Sequence, residues 1–510
     1  MNSKLILAGI VVISALVVYR FQHRSGRRGK LPPGPRPVIL SNPAPPPDVL
    51  PWKLFAQLRT VFGDIAYIDG FGAHLLILNS AKAAQELLVK RSAIYSSRPN
   101  RLMVLDVMGW NCMFSEMMYG AKWRSYRSLF EKHYNPRAIT HYEPIQLGEA
   151  RSLLRNLLAS PENFAQHIQR SATALIMMVS YGHQIAESTD PYVTLSERAM
   201  GAIVKAAVPG TYWIDWLPWL NYVPVWFPAP FRKVGNACRA ATIAMIEEPF
   251  KMVERRMRSG NNVSCIVSRE LEEMLDSVRD GEKMTMLKNV TAIGYAAGGE
   301  TTVSGLHTFL LAMTLYPEAQ LKAQKELDRV LGSQGRLPQF SDRNQLPYID
   351  HIVWEVMRWN PVVPLGLPHA TTEDDIYEGY WIPKGTTVIP NLWAICHDED
   401  TYPEPFEFKP ERFEGPNEAG INELPMATFG FGRRICPGRW LALDTLWITV
   451  ASVLAVYNIS KALDDAGNII EPNPEDYTLG LSSRPKPFAC SIKPRSASAL
   501  ALIQESQGEM

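Results

Sequence analysis

The sequence predicts a mainly α fold with a small β portion, forming one large domain behind an N-terminal transmembrane helix. Three observations carry that reading. Helical apolar patterns fill most of the chain, and strand signals are few and lie near its two ends. One proline-rich spacer separates a short apolar run from the body, with no second linker and no internal repeat of about 20 to 50 residues.

The apolar run is Leu5 to Tyr19, followed at once by Arg20, His23, Arg24, Arg27, Arg28 and Lys30. With Phe21 and the snorkelling side chains of Lys4 and Arg20 it reaches the length of a bilayer span. No small-residue cleavage site follows it, which argues against a removed signal peptide. Residues 1–4 are therefore expected to be lumenal and 5–21 the anchor, and the basic cluster keeps the rest cytosolic. Residues 22–51 are a basic and proline-rich linker, since nine of the chain's 39 prolines fall between Pro32 and Pro51. Proline resists both helix and sheet, so this segment reads as a stiff spacer. The body is expected over 52–495, and the small, unpatterned residues of 496–510 read as a flexible tail.

Within the body, Ile65–Ile68 and Leu75–Leu78 flank Gly70 and Gly72 as a hairpin. Ser80 can cap a helix running to about Arg91. Lys288 to Tyr316 is long and apolar, Pro317 suits the first turn of the next helix, and Trp440 to Val450 is again helical. A second β region covers Ile376 to Pro390, with Pro383-Lys384-Gly385 as its turn.

Composition narrows the function classes. The 510 residues are 46% hydrophobic and carry 52 Lys+Arg against 51 Asp+Glu, a net charge of +1. That apolar share supports a sizeable core, and the charge balance offers no field to attract nucleic acid. Six cysteines, Cys112, Cys238, Cys265, Cys396, Cys436 and Cys490, contain no C-x-x-C pair, against zinc ribbons, cysteine-only iron–sulfur sites and disulfide scaffolds. The usage fits a reducing compartment in which one thiol has a private role.

The most informative stretch is Phe429-Gly430-Phe431-Gly432-Arg433-Arg434-Ile435-Cys436-Pro437-Gly438. Its glycines permit tight turns, and its single Cys precedes a helix whose N-terminal dipole and loop N–H groups favour a thiolate. Ala297-Gly298-Gly299-Glu300-Thr301-Thr302 places two glycines inside the long apolar helix at a cost of about 2 kcal/mol against alanine, so something must use the space. Glu355 and Arg358 share a helix face at i and i+3. Trp123 and Arg127, at i and i+4, can present two donors to one carboxylate.

Phe429, Gly432, Arg434, Cys436 and Gly438 form F-x-x-G-x-R-x-C-x-G, which resembles the haem-binding signature of the cytochromes P450. The other motifs occur in that family's order, so the resemblance runs from the anchor to about Pro494. It implies the P450 fold, haem b (iron protoporphyrin IX) and Cys436 as the axial ligand of its iron. Phe429, Gly430 and Gly438 would shape the cradle. Trp123, Arg127, His369 and Arg434 would meet the propionates. Gly298 and Gly299 would open an oxygen groove over the metal, with Thr301 and Glu300 relaying protons for O–O cleavage. Pro410-Glu411-Arg412-Phe413 resembles the family's P-E-R-F segment, so Arg412 would join Glu355 and Arg358 in a structural cluster.

The resemblance further implies a monooxygenase of the endoplasmic reticulum membrane that takes O2 and an apolar small molecule from the lipid bilayer. No strand–G-x-G-x-x-G–helix unit is present, so NADPH would act only indirectly, through a separate NADPH-cytochrome P450 reductase, with cytochrome b5 as a further electron partner that the resemblance implies. Lys122, Arg124, Arg433 and Arg439 could supply the basic docking surface. Trp213, Trp216, Trp219 and Trp226 fall in the Trp/Pro-rich stretch Val208–Phe231, which corresponds to the lip of the substrate channel. Pocket walls would come from Met103–Met113, Ile293–Thr301, Val362–Leu367 and Thr478–Leu481. Tyr95–Pro99 and Val208–Gly210 are similar to fungal secondary-metabolism members. The favoured substrate is a terpenoid; an indole, tryptamine-like or polyketide aromatic is the alternative. A haem-thiolate isomerase or dehydratase, or a non-enzymatic haem protein, remain as other classes.

Overall fold

Residues 29–35, 49–70, 73–186, 190–206, 211–223, 230–275, 281–332, 334–415 and 425–506 are described by the computed structural model. The expected lumenal end and anchor lie outside them. Residues 29–35 belong to the linker by sequence, yet they are packed on the body. The Tyr67 N–H donates to the Pro33 carbonyl and the Trp381 N–H to that of Lys30, both at 2.8 Å, with Pro32 buried. The linker's last residue, Pro51, opens helix α1 (Pro51–Phe62), because proline suits a first turn that has no N–H partner to lose.

The main sheet has four strands, β1 (Ile65–Gly70), β2 (Ala73–Leu78), β3 (His369–Ala370) and β6 (Thr387–Pro390), in the order β1-β2-β6-β3. The expected hairpin pairs Ile65 with Leu78 through Gly70 with Ala73, and β2 runs parallel to β6 from Leu75↔Thr387. Both faces are apolar. Leu76 and Leu78 pack in one cluster and Leu75 and Ile77 in another, as period-2 alternation requires in a sheet covered on both sides. Between β3 and β6 lies a separate hairpin, β4 (Asp375–Tyr377) and β5 (Tyr380–Ile382). Its tight turn is Glu378-Gly379, both at positive φ, while Pro383–Gly385 only links β5 to β6. A third pair, β7 (Tyr457–Lys461) with β8 (Cys490–Pro494), has no counterpart in the sequence expectations.

The other elements are helices. Ser80 caps the turn from Ala81, accepting from the Ala83 N–H at 3.2 Å, and the helix continues as a π-helical turn over Gln85–Lys90. The site is framed by α2 (Ala121–Tyr134), α3 (Phe164–Tyr181), α4 (Pro191–Ala206), α5 (Gly281–Leu315), α6 (Pro347–Trp359) and α7 (Arg439–Val456). Helix α5 is 35 residues long and apolar nearly all round, so it runs through the core with α3 and α7 against it. Helix α7 is long and apolar enough to cross a bilayer, yet most of it is buried inside the protein.

The tail expectation is corrected. Ala497–Glu505 forms helix α8, capped by the Ser496 hydroxyl accepting from Ala499 N–H at 3.1 Å. Ala499 and Ile503, one helical turn apart, are buried in the main core, a pattern obscured in the sequence by the small residues around them. Ile503→Ala is therefore expected to lower stability by about 2–5 kcal/mol, measured by urea unfolding, whereas a frayed tail would give no change.

Candidate active site

The loop from Phe429 to Gly438 owes its shape to two glycines. Gly430 and Gly432 have φ of 89° and 54°, where other residues are strained. A Cβ on Gly432 would stand 2.3 Å from the Leu88 carbonyl oxygen, so the loop reaches the π-helical turn only because no side chain is there. The chain then closes back, the Cys436 N–H donating to the Phe429 carbonyl at 2.7 Å. Gly438 stands at the N-cap of α7, so that helix begins beside the sulfur. Burial pushes the Cys436 thiol up. The N–H groups of Gly438 and Arg439 and the charges of Arg127 and Arg439 act the other way and favour the thiolate. Arg439 also donates to the Cys436 carbonyl at 2.9 Å, so it serves this loop, while Lys122, Arg124 and Arg433 are exposed. Cys112, Cys238, Cys265 and Cys396 are buried, whereas Cys436 keeps partial access.

On α5 the motif residues divide between two faces. A Cβ on Gly298 would meet Ile176 of α3 at 3.2 Å, and one on Gly299 would lie 3.7 Å from the Thr173 hydroxyl. The two glycines thus face helix α3: at Gly298 close helix packing uses the space that the sequence reading gave to oxygen, while Gly299 lines a small cleft against Thr173. Ala297 and Thr301, at i and i+4, share another face. Ala297 is the one exposed residue between Leu287 and Thr314, and Thr301 donates to its carbonyl at 2.9 Å. Glu300 accepts from the Ser482 hydroxyl at 3.3 Å and stands 3.9 Å from Arg484, on the loop before β8.

A group of buried cations gathers between α2, β3 and the cysteine loop. Arg434 donates to the Ser96 and Met117 carbonyls at 2.7 and 2.6 Å and lies 4.5 Å over the Trp123 ring. Arg98 donates to the carbonyls of Ser115, Leu367 and Pro368, each at 2.8 Å. Burial lowers Arg98 to about 10 and Arg434 to about 9, so both stay charged at neutral pH. Burial, then the Arg98 charge, holds His369 well below its ordinary value. Its Nδ1 is 2.7 Å from the Tyr95 carbonyl. Arg127 is tied to Glu131 at 2.7 Å and to the Ile435 carbonyl at 2.6 Å. Arg98 and Arg434 therefore have carbonyl dipoles but no direct carboxylate partner among these bonds, and buried cations call for counter-charge. Arg98 was missed as a site residue. An arginine between Ser97 and Pro99 was its only sequence signal, and its neighbours come from residues 115 and 367–368.

These features fit haem b. They supply one partly accessible cysteine at a helix N-terminus, an uncovered small-residue face on α5, and buried cations suited to two propionates.

Behind this site Glu355, Arg358 and Arg412 meet. Arg358 grips Glu355 through two bonds of 2.7 and 2.8 Å, and Arg412 reaches the same carboxylate at 3.1 Å. Glu355 also accepts the Lys409 N–H at 2.8 Å, and Arg358 donates to the carbonyls of Cys396 and Pro405. The cluster therefore joins α6 to the segment carrying residues 396–412. In the Trp-rich stretch, Trp213, Trp219 and Tyr222 are exposed; Val208, Trp226 and Phe227 lie outside the described residues.

The family model described as "Cytochrome P450" matches residues 31–491. The chain is 40% identical over 501 residues to "Cytochrome P450 monooxygenase 208" of Postia placenta, covering 97% of this chain and 96% of that protein. It is 40% identical to "Cytochrome P450 monooxygenase claR" of Ampulloclitocybe clavipes (97% and 92% covered) and 37% to "Cytochrome P450 monooxygenase ple1" of Rhodocybe pseudopiperita (99% and 97%). Among solved structures, a zebra fish cytochrome P450 with abiraterone shares the fold, with a TM-score of 0.69 at 21% identity over 88% of this chain and 100% of that one. The thiolate loop, the buried cations and these matches together show that the chain belongs to the cytochrome P450 family, whose relatives here are named monooxygenases.

Proposed function

We propose that this enzyme hydroxylates or epoxidises a small apolar secondary metabolite, with a terpenoid as the leading substrate class. The overall reaction takes RH, O2, two electrons and two protons to ROH and water. Bound haem would supply dioxygen activation. Cys436 would hold its iron, with the N–H groups of Gly438 and Arg439 and the charges of Arg127 and Arg439 tuning the sulfur. Arg434, Arg98, His369 and Trp123 would hold the propionates. His369 bonded through Nδ1 to Tyr95 leaves Nε2 to take a further proton beside an anion. Thr301 and Glu300 would hold and pass protons. The Glu355–Arg358–Arg412 cluster would keep the haem-side core in register.

The single observation that carries the substrate class is the chemistry of the walls. Met103, Val104, Met108, Trp110 and Ile293 are buried apolar residues, and Val362, Val363, Leu365 and Leu367 are half-buried. Of the ions near them, Glu300 and Arg484 face each other, Arg98 is bonded to the Leu367 carbonyl, and Asp215, which accepts the Met103 N–H at 2.9 Å, is raised to about 6 by burial, so the walls present little free charge to an amine or an acid. Electrons would come from a reductase docking near Lys122, Arg124 and Arg433, and residues 5–21 would anchor the enzyme in the endoplasmic reticulum membrane.

The test is a spectral titration of the purified ferric holoenzyme with terpene hydrocarbons or alcohols, and separately with indoles or flat polyketides. A low-to-high-spin shift with terpenes alone is the expected result. A shift with the aromatics alone would sink the terpenoid reading and leave the monooxygenase chemistry in place.

A further inference from the structure

A hydroxyl inside a helix usually bonds the carbonyl one turn back. Thr285, Thr291, Thr301 and Thr314 of α5 do so, each reaching the carbonyl four residues earlier at 2.7–2.9 Å. Ser304, buried in the same helix, departs from that pattern. Its hydroxyl donates to the carbonyl of Ser483, on the loop before β8. That loop is closed at its base. The Thr478 N–H donates to the Arg484 carbonyl at 2.8 Å, the Arg484 N–H to the Thr478 hydroxyl at 3.1 Å, and the Lys486 N–H to the Asp476 carbonyl at 2.9 Å. Within residues 479–483 one side is pinned and the other is free. Ser483 has no exposed surface. Its N–H donates to the Val362 carbonyl at 2.8 Å, and its carbonyl, besides taking Ser304, lies 3.5 Å from the amide nitrogen of Asn360 at the C-cap of α6. Leu479, by contrast, is exposed and Leu481 half-buried.

One backbone unit therefore joins three parts of the site. Ser304 follows Thr301 by three residues on α5, Val362 opens the wall that runs to Leu367, and Leu479–Leu481 form the facing wall. Leu481 is two residues from Ser483, at most about 7 Å of extended chain, so a displacement at Ser483 is passed on to the loop tip. Neither helix propensity nor packing asks for serine at 304. Alanine is the better helix former and fills nearly the same volume, but it lacks the donor. An apolar molecule among apolar walls has no polar handle, so the shape of those walls sets its orientation.

We infer that Ser304 is a positioning residue for regioselectivity. Its bond to Ser483 holds Leu479–Leu481 at a set distance from the Val362–Leu367 wall, and so decides which carbon of an apolar substrate is presented for oxygenation. Asn360 supports the same carbonyl from the other side. The inference rests on the proposed monooxygenase reading of this site, and it concerns how that site chooses among the C–H and C=C bonds of one molecule.

The experiment compares wild type, Ser304→Ala and Ser304→Thr as holoenzymes, and repeats Ser304→Ala in a Leu479→Ala/Leu481→Ala background. Amide hydrogen exchange over residues 476–486 is read first, on the ferric protein without substrate. Exchange should be about tenfold faster in S304A and close to wild type in S304T, which keeps the donor. Products are then counted with reductase, NADPH and limonene as the probe. In S304A the ratio of epoxide to allylic alcohol should change by about fivefold, while NADPH consumption and the carbon-monoxide spectrum are retained; S304T should return the ratio. In the L479A/L481A background, adding S304A should move the ratio by less than about twofold, because the side chains it positions are gone. Unchanged exchange or an unchanged ratio in S304A would overturn the inference, as would the same shift in the background without the tip. Loss of haem and turnover in S304A with the ratio preserved would mark a merely structural role and overturn it too. Were wild type to release neither product nor peroxide when reduced under air, the monooxygenase reading would fall instead, and the exchange result would still judge the Ser304–Ser483 bond.

Discussion

Cys436→Ala is expected to abolish NADPH-dependent oxygenation, and Cys436→Ser to give protein that folds but lacks the red-shifted carbon-monoxide band of a thiolate-ligated haem. The argument is local. Two N–H groups, two arginine charges and the start of α7 converge on one partly exposed sulfur; Cys265 also sits before a helix and takes N–H bonds from Val267 and Ser268, but it is buried, as are Cys112, Cys238 and Cys396. Cys490, the other partly exposed thiol, begins β8, and burial raises it to about 12. Cys490→Ala should therefore leave the carbon-monoxide spectrum unchanged. Far-ultraviolet circular dichroism of the same preparations checks that the loss at Cys436 is one of ligation rather than folding. A wild-type spectrum in C436S would refute the assignment.

Glu355→Gln is expected to lower stability by about 3–5 kcal/mol and to release haem, because removing one partner leaves buried charge uncompensated. Both Glu355 and Arg358 have no solvent exposure, and Arg412 shares the same carboxylate. Replacing Glu355 alone strands two guanidiniums, which still satisfy carbonyls of Cys396, Pro405 and Pro403 but lose their counter-charge. The double variant Glu355→Leu/Arg358→Met, which removes both charges of the pair, should be less destabilised than the single charge deletions sum to. Urea unfolding followed by circular dichroism, with haem absorbance after gel filtration, reads both outcomes. Single variants within about 1 kcal/mol of wild type would show that the cluster is not the clasp its burial suggests.

Legibility in the sequence followed the range of the interactions. Ser80 as a cap, Pro317 as a first turn and the hairpin at 65–78 all depend on neighbours within a few residues, so their residues announce them. The thiolate loop was legible for the same reason, since Gly430, Gly432 and Cys436 act on one another across a few bonds. Helix α8 was not, because Ala499 and Ile503 gain their meaning only from the core they meet. The docking of residues 29–35 and the β7–β8 pair were hidden likewise, for each depends on a partner distant in the chain.

The mainly helical fold class, the shape of the cysteine loop and the order of the motifs were legible in the sequence alone, because local turn chemistry and apolar periodicity are written in consecutive residues. Three matters were decided only by the tertiary structure: that Gly298 and Gly299 face helix α3, that Arg98 joins Arg434 and His369 in a buried cationic group, and that Arg439 turns in toward the sulfur. Each turns on which way a side chain points and on what lies there. A helical residue's neighbour is set by the packing of the helix against another, and a buried charge is defined by the carbonyls and charges that distant segments bring to it.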